Sequence, residues 1–109
     1  MVNRYRGGAD FEREVRAALV ADGYDVMRSA GSKTKVDLLA FKPGQALVIQ
    51  AKRDGRISPL ERREVRRIAA LIPGGVPLLV ARPGITFHRL TGDGPRDREP
   101  WSPDVEATP

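Results

Sequence analysis

Two apolar runs, residues 35–41 and 46–52, stand on either side of Lys42-Pro43-Gly44-Gln45. Pro and Gly punctuate the chain between stretches of Val, Ile, Leu and Phe, so the segment predicts a β-hairpin. A turn centred between Pro43 and Gly44 makes cross-strand partners sum to 87 and sets Asp37 opposite Gln50. Side chains alternate faces along a strand. Asp37, Leu39 and Phe41 therefore share a face with Ala46, Val48, Gln50 and Lys52. Val36, Leu38, Ala40, Leu47, Ile49 and Ala51 form the other face, which is wholly apolar and must be covered by a helix or another sheet. Directly opposed residues have Cβ atoms roughly 4.5–5.5 Å apart, close enough for Asp37 and Gln50 to reach one ion.

The rest of the chain arranges itself around this hairpin. Residues 9–22 carry Phe11, Val15, Ala18 and Leu19 near one helical face, with Gly23 where a left-handed cap belongs. Residues 24–29 read as a strand and 30–34 as a loop. Ser58-Pro59-Leu60-Glu61 combines an N-cap, a proline at the first helical position and the Glu of a capping box. The helix it starts runs to about Ile72, before Pro73-Gly74-Gly75. Strands at 77–82 and 85–90 follow, giving the order α-β-β-β-α-β-β. At 109 residues and 40% hydrophobic composition, one domain is expected, spanning 1–91. Residues 92–109, rich in acid, Pro and Gly, read as a disordered or loosely attached tail.

Residues 1–91 hold 17 Lys and Arg against 9 Asp and Glu, while 92–109 hold 2 against 5. A basic domain with an acidic tail suits a polyanionic partner, since phosphate contacts by cationic side chains supply much of nucleic-acid affinity. Arg outnumbers Lys 15 to 4, which fits forked phosphate contacts or a GC-rich genome equally well. The absence of cysteine excludes disulfides and thiolate metal sites and fits a reducing compartment. No secretory signal or membrane-spanning run is visible, so an intracellular, cytoplasmic protein associated with the nucleoid is expected.

An acid and a lysine that interrupt buried strands need a partner or a metal. Asp37 and Lys52 could form a plain ion pair at the sheet's open end. Alternatively, Asp37 and Gln50 could hold Mg²⁺, a hard cation that takes oxygen ligands and keeps waters for a substrate phosphate. Lys52 would then orient the attacking water or neutralise developing charge.

Glu12-Arg13 on the first helix, Arg28-Ser29-Ala30-Gly31-Ser32 in a loop, Val36-Asp37-Leu38-Leu39-Ala40 and Ile49-Gln50-Ala51-Lys52 together resemble the archaeal-type Holliday junction resolvases of the PD-(D/E)xK nuclease superfamily. The resemblance covers about residues 6–90. It implies a restriction-endonuclease-like α/β core, a mixed sheet flanked by helices, and a homodimer that cleaves four-way DNA junctions with Mg²⁺, for which Mn²⁺ can substitute. It makes Glu12, Asp37 and Gln50 the metal ligands and Lys52 the catalytic lysine. Periodicity alone leaves Glu12 and Glu14 equivalent; the resemblance selects Glu12. Ser32 falls in the serine-containing loop near the substrate backbone. The family usually has Glu where this chain has Gln50, a neutral ligand that should bind metal more weakly. Another nuclease of the superfamily, of restriction, mismatch or flap type, and a catalytically silent DNA-binding protein are the competing readings.

Further DNA contacts are expected from Arg4 and Arg6 on a flexible arm with Gly7 and Gly8, from Arg28 and Lys33 beside the loop, and from Arg62, Arg63 and Arg66 on the second helix. A solvated helix face is the alternative for that arginine stripe. His88, the single histidine, reads as a surface or packing residue, and Trp101 either packs back on the domain or docks on a partner.

Overall fold

The computed structural model describes residues 4–29 and 36–103, with side chains described from residue 9 onward. The elements are α1 (Arg4–Ala21), β1 (Asp25–Arg28), β2 (Leu38–Lys42), β3 (Gln45–Ala51), α2 (Pro59–Ala70), β4 (Gly75–Ala81), β5 (Thr86–Leu90) and β6 (Arg98–Trp101). The six strands lie in sequence order in one sheet. Every neighbouring pair is antiparallel except β3 and β4, which are parallel because α2 carries the chain back between them.

The hairpin has the expected register: Leu38 faces Ile49, Ala40 faces Leu47 and Lys42 faces Gln45. Alternation along β3 and β4 divides the core between two helices. Leu47, Ile49, Val76, Leu78 and Val80 pack with Phe11, Val15 and Leu19 of α1, whereas Val48 and Leu79 pack with Val65 and Ala69 of α2. The sheet is thus buried on both sides, which is why its central strands read as nearly continuous apolar runs.

Local chemistry sets the helix ends. Gly23 sits at φ +95°, and Tyr24 N–H donates to Leu19 O at 3.0 Å, closing α1 as expected. Ser58 and Glu61 exchange the reciprocal bonds of a capping box at the start of α2. Gly74 permits close packing of the loop onto the hairpin turn, since a Cβ there would lie 2.3 Å from Gly44 O.

Two expectations are corrected. Residues 4–8 are not a separate arm but the first turns of α1, because each residue added to an existing helix gains a hydrogen bond for little further cost. The tail does not leave the domain at residue 92. β6 pairs with β5 from Leu90–Arg98 to Phe87–Trp101, and Trp101 is 8% exposed, its ring 5.7 Å from that of Phe87 in an edge-to-face contact. An edge strand and a buried tryptophan overcome the local Pro and Gly content.

Candidate active site

Asp37 precedes β2, where the ladder loses its regular register. Its N–H donates to Ile49 O at 2.8 Å, rather than facing Gln50, and its carbonyl accepts from Ser29 N–H at 3.0 Å. Val36 packs in the α2-side cluster, although unbroken alternation would assign it to the α1 side. The slip frees the Asp37 carboxylate to accept from Ala51 N–H at 2.8 Å, in place of a cross-strand carbonyl. A local irregularity of this kind re-aims a side chain, as bulges beside active sites do. Gln50 and Lys52 share a face as expected, and regular alternation stops at Asp37, whose carboxylate turns to the Ala51 N–H at the end of β3.

Burial pushes the Asp37 carboxyl above the usual aspartate range. The Ala51 N–H opposes that shift, the neighbouring Glu12 adds to it, Lys52 opposes it and Glu61 adds to it. Asp37 thus lies in the field of carboxylates from both helices. Glu12 is held by Arg28, whose Nε donates to Oε1 at 2.8 Å. Glu14, its alternative on α1, instead pairs with Arg82 at 2.6 Å. Geometry separates two glutamates that periodicity could not.

Gln50 and Lys52 meet on α2 through Glu61, which sequence reasoning treated only as a capping residue. Lys52 Nζ lies 2.7 Å from Glu61 Oε2, and Gln50 Nε2 donates to the same oxygen at 3.2 Å. Burial pushes the Glu61 carboxyl up, but the bonds from Lys52 and Ser58 outweigh it and hold the group below the usual glutamate range. Lys52 pairs with Glu61, so the plain Asp37–Lys52 ion pair, the alternative to a metal site, is not the arrangement observed. Gln50 is 5% exposed, and among the described residues its Oε1 is a buried polar atom with no hydrogen-bond partner. Leaving such an acceptor unmet costs about 1–3 kcal/mol, so the site fits a further ligand at that oxygen. No three acidic or histidine side chains among the described residues converge as a preformed metal cluster. The donor set that fits a hard cation is Asp37 with the Gln50 amide oxygen, Glu12 standing nearby.

A cleft of about 300 Å³ opens beside Glu12, lined by Ala9, Arg13, Arg16, Arg28 and Leu38. Arg13 and Arg16 were not among the expected DNA contacts, although Arg16, four residues from Glu12 on the same helix face, was a usable signal. Of the α2 arginines, Arg62 is corrected: it is 2% exposed, and its guanidinium donates to the carbonyls of Gly92, Pro95 and Asp97. Three carbonyls from the returning tail satisfy the buried fork, so it does not face solvent. Arg66 pairs with Asp93 at 2.7 Å, and Arg63 is exposed. Ser32 and Lys33, and the side chains of Arg4 and Arg6, lie outside the described residues. His88 is half-buried on β5, where burial and then Arg98 lower its pKa.

The raised Asp37 pKa has a stability consequence. The folded state holds this proton to higher pH than the unfolded chain, whose value is near 3.8. Between those two values stability falls as pH rises, and the penalty persists at neutral pH. Asp37→Asn keeps an acceptor for Ala51 N–H and removes the charge. In chelator-treated protein at pH 7 it should raise the melting temperature measured by circular dichroism, and the gain should vanish below pH 4. A lower melting temperature for the variant at pH 7 would refute this account.

A family model described as archaeal Holliday junction resolvase (Hjc) matches residues 3–91. A protein named crossover junction endodeoxyribonuclease Hjc, from Methanocaldococcus jannaschii, is 34% identical over 85 residues, covering 75% of this chain and 63% of that relative. The structure of Archaeoglobus fulgidus Hjc, a Holliday junction resolvase from an archaeal hyperthermophile, matches with a TM-score of 0.63 at 22% identity, over 76% of this chain and 70% of the other. That structural likeness bears out the mixed sheet flanked by helices.

Proposed function

The chain belongs to the archaeal Holliday junction resolvase family, and from that premise we propose that it is a structure-selective endodeoxyribonuclease that resolves four-way DNA junctions by metal-dependent phosphodiester hydrolysis. The observation that carries the reading is the conjunction, at one end of β3, of a desolvated carboxylate at Asp37, a buried unpartnered amide oxygen at Gln50 and the Lys52 ammonium.

Asp37 and Gln50 Oε1, with Glu12 beside them, would hold the cation, Mg²⁺ or Mn²⁺ in its place. A bound divalent ion supplies polarisation of the scissile phosphate and lowers the pKa of the attacking water. Lys52, partly exposed and steered by Glu61, would donate an N–H hydrogen bond from its ammonium to that water, or neutralise the charge that builds on phosphate. Arg13, Arg16 and Arg28 line the approach beside Glu12 and take backbone phosphates, which position DNA without reading its sequence. Arg28 would exchange its bond to Glu12 for a phosphate, a charge-assisted contact of the same geometry.

One site makes one nick, and a two-fold junction requires two. A two-fold homodimer follows from the task. A largely apolar recess beside β1, lined by Met27, Val36, Leu39 and Ile68 with Arg28 and Ser29 at its rim and Met27 exposed, is the surface we assign to pairing, since apolar surface open to a partner marks interfaces. No helix among the described residues is long and apolar enough to cross a membrane, and we assign the protein to the compartment that holds the DNA.

The test is a synthetic four-way junction beside a linear duplex of the same sequence, with Mg²⁺ and with chelator. Paired nicks in the junction alone, dependent on Mg²⁺, are expected. Equal cutting of the duplex would favour another nuclease of the superfamily. Tight binding without nicking across Mg²⁺ and Mn²⁺ concentrations would sink the catalytic reading.

A further inference from the structure

Position 50 carries an amide, and the carboxylate hydrogen-bonded to it comes from α2. Glu61 is engaged on both oxygens: Oε1 accepts from Ser58 N–H at 2.9 Å, while Oε2 accepts from Lys52 Nζ at 2.7 Å and Gln50 Nε2 at 3.2 Å. With its oxygens so occupied, it is poorly placed to ligate a cation itself. An ionised carboxylate only accepts hydrogen bonds, so the amide of Gln50 must turn its NH₂ toward Glu61. Its oxygen is then left on the far side, and that oxygen is the buried, unpartnered Oε1. The side chain is 5% exposed, which leaves bulk water little access to satisfy it.

The pair also depends on its own asymmetry. A glutamate at position 50 would bring a second carboxylate to the 3.2 Å separation now bridged by an N–H, a repulsive contact unless a cation or proton intervenes. Amide at 50 and acid at 61 therefore form one unit, anchored at the first turn of α2 by the capping box. We propose that Glu61 is a positioning residue of the metal centre: it fixes Gln50 with Oε1 turned toward the cation site beside Asp37, and supplies from α2 the negative charge that position 50 does not carry. This rests on the metal-dependent reading above. Outer partners that orient a ligand in this way typically carry about 10–100-fold in metal affinity.

The experiment is Mn²⁺ binding to the DNA-free full chain by isothermal titration calorimetry. Glu61→Gln should weaken binding about tenfold or more. Gln50→Glu/Glu61→Gln exchanges the two roles and should return affinity to within a few-fold of wild type. Ser58→Ala removes a capping bond but leaves the contacts at Oε2, and should bind Mn²⁺ as wild type does. Wild-type affinity in Glu61→Gln, no recovery in the exchanged pair, or an equal loss in Ser58→Ala would each overturn the proposal. Asp37→Ala separates this from the underlying reading. If Asp37→Ala binds Mn²⁺ normally, the metal assignment itself fails; if it loses binding while Glu61→Gln does not, only the role of Glu61 fails.

Discussion

Asp37→Ala is expected to lower single-turnover cleavage of a four-way junction by at least about 10²–10³-fold, the scale on which losing one preorganised electrostatic element acts, while junction binding survives. The two outcomes separate because the residue serves chemistry and burdens the ground state. Its carboxylate is buried beside Glu12 and Glu61, an arrangement that costs stability until a cation arrives. Removing it also removes a negative charge near the arginines that line the Glu12 cleft, so phosphate attraction should rise slightly. The backbone effect is local: Ala51 N–H loses its acceptor, worth about 1 kcal/mol at a partly buried position. Asp37→Asn isolates the charge, since it keeps that acceptor. Both variants should be inactive, and anisotropy titrations in chelator should give affinities equal to or tighter than wild type. Wild-type cleavage by Asp37→Ala would remove Asp37 from the metal centre. Loss of binding and cleavage together would instead point to misfolding of the hairpin end.

Much of this site was legible because short-range rules set it. The turn at Pro43-Gly44 determined the hairpin register, and that register is observed from Leu38–Ile49 to Lys42–Gln45. The capping box announced the start of α2. What escaped depended on residues distant in sequence. The slip at Asp37 goes with the bond from its N–H to Ile49 O and with the side chain's competition for Ala51 N–H, neither of which a pattern of alternation contains. Glu61 had a complete local explanation as a capping residue, which concealed its second role toward Gln50 and Lys52. Arg62 belonged to a charged helical stripe, and such stripes usually face water. Its burial depends on carbonyls 30 to 35 residues further along the chain.

The same long-range dependence yields the largest stability effect. Ending the chain after residue 91, where the family match stops, should destabilise it by about 3–5 kcal/mol, the usual scale for deleting a buried tryptophan from a core. Two contributions need separating. Truncation strips Trp101 from Phe87 and the α1-side core and bares the edge of β5. It also opens Arg62, but a guanidinium that loses three carbonyls and gains water is nearly compensated, so the apolar loss should dominate. Trp101→Ala in the full chain should accordingly reproduce most of the truncation. Arg62→Met should cost less, about 1–3 kcal/mol, because it leaves those tail carbonyls without their shared donor. Against a total of about 5–15 kcal/mol for a small domain, truncation leaves a marginal fold. Urea denaturation followed by far-UV circular dichroism measures each change. Trp101 is the chain's single tryptophan, so its fluorescence reports the tail directly. In the intact protein its transition should coincide with loss of helix. A fluorescence change complete at lower urea, or an unchanged midpoint after truncation, would mean that β6 is an appendage rather than part of the fold.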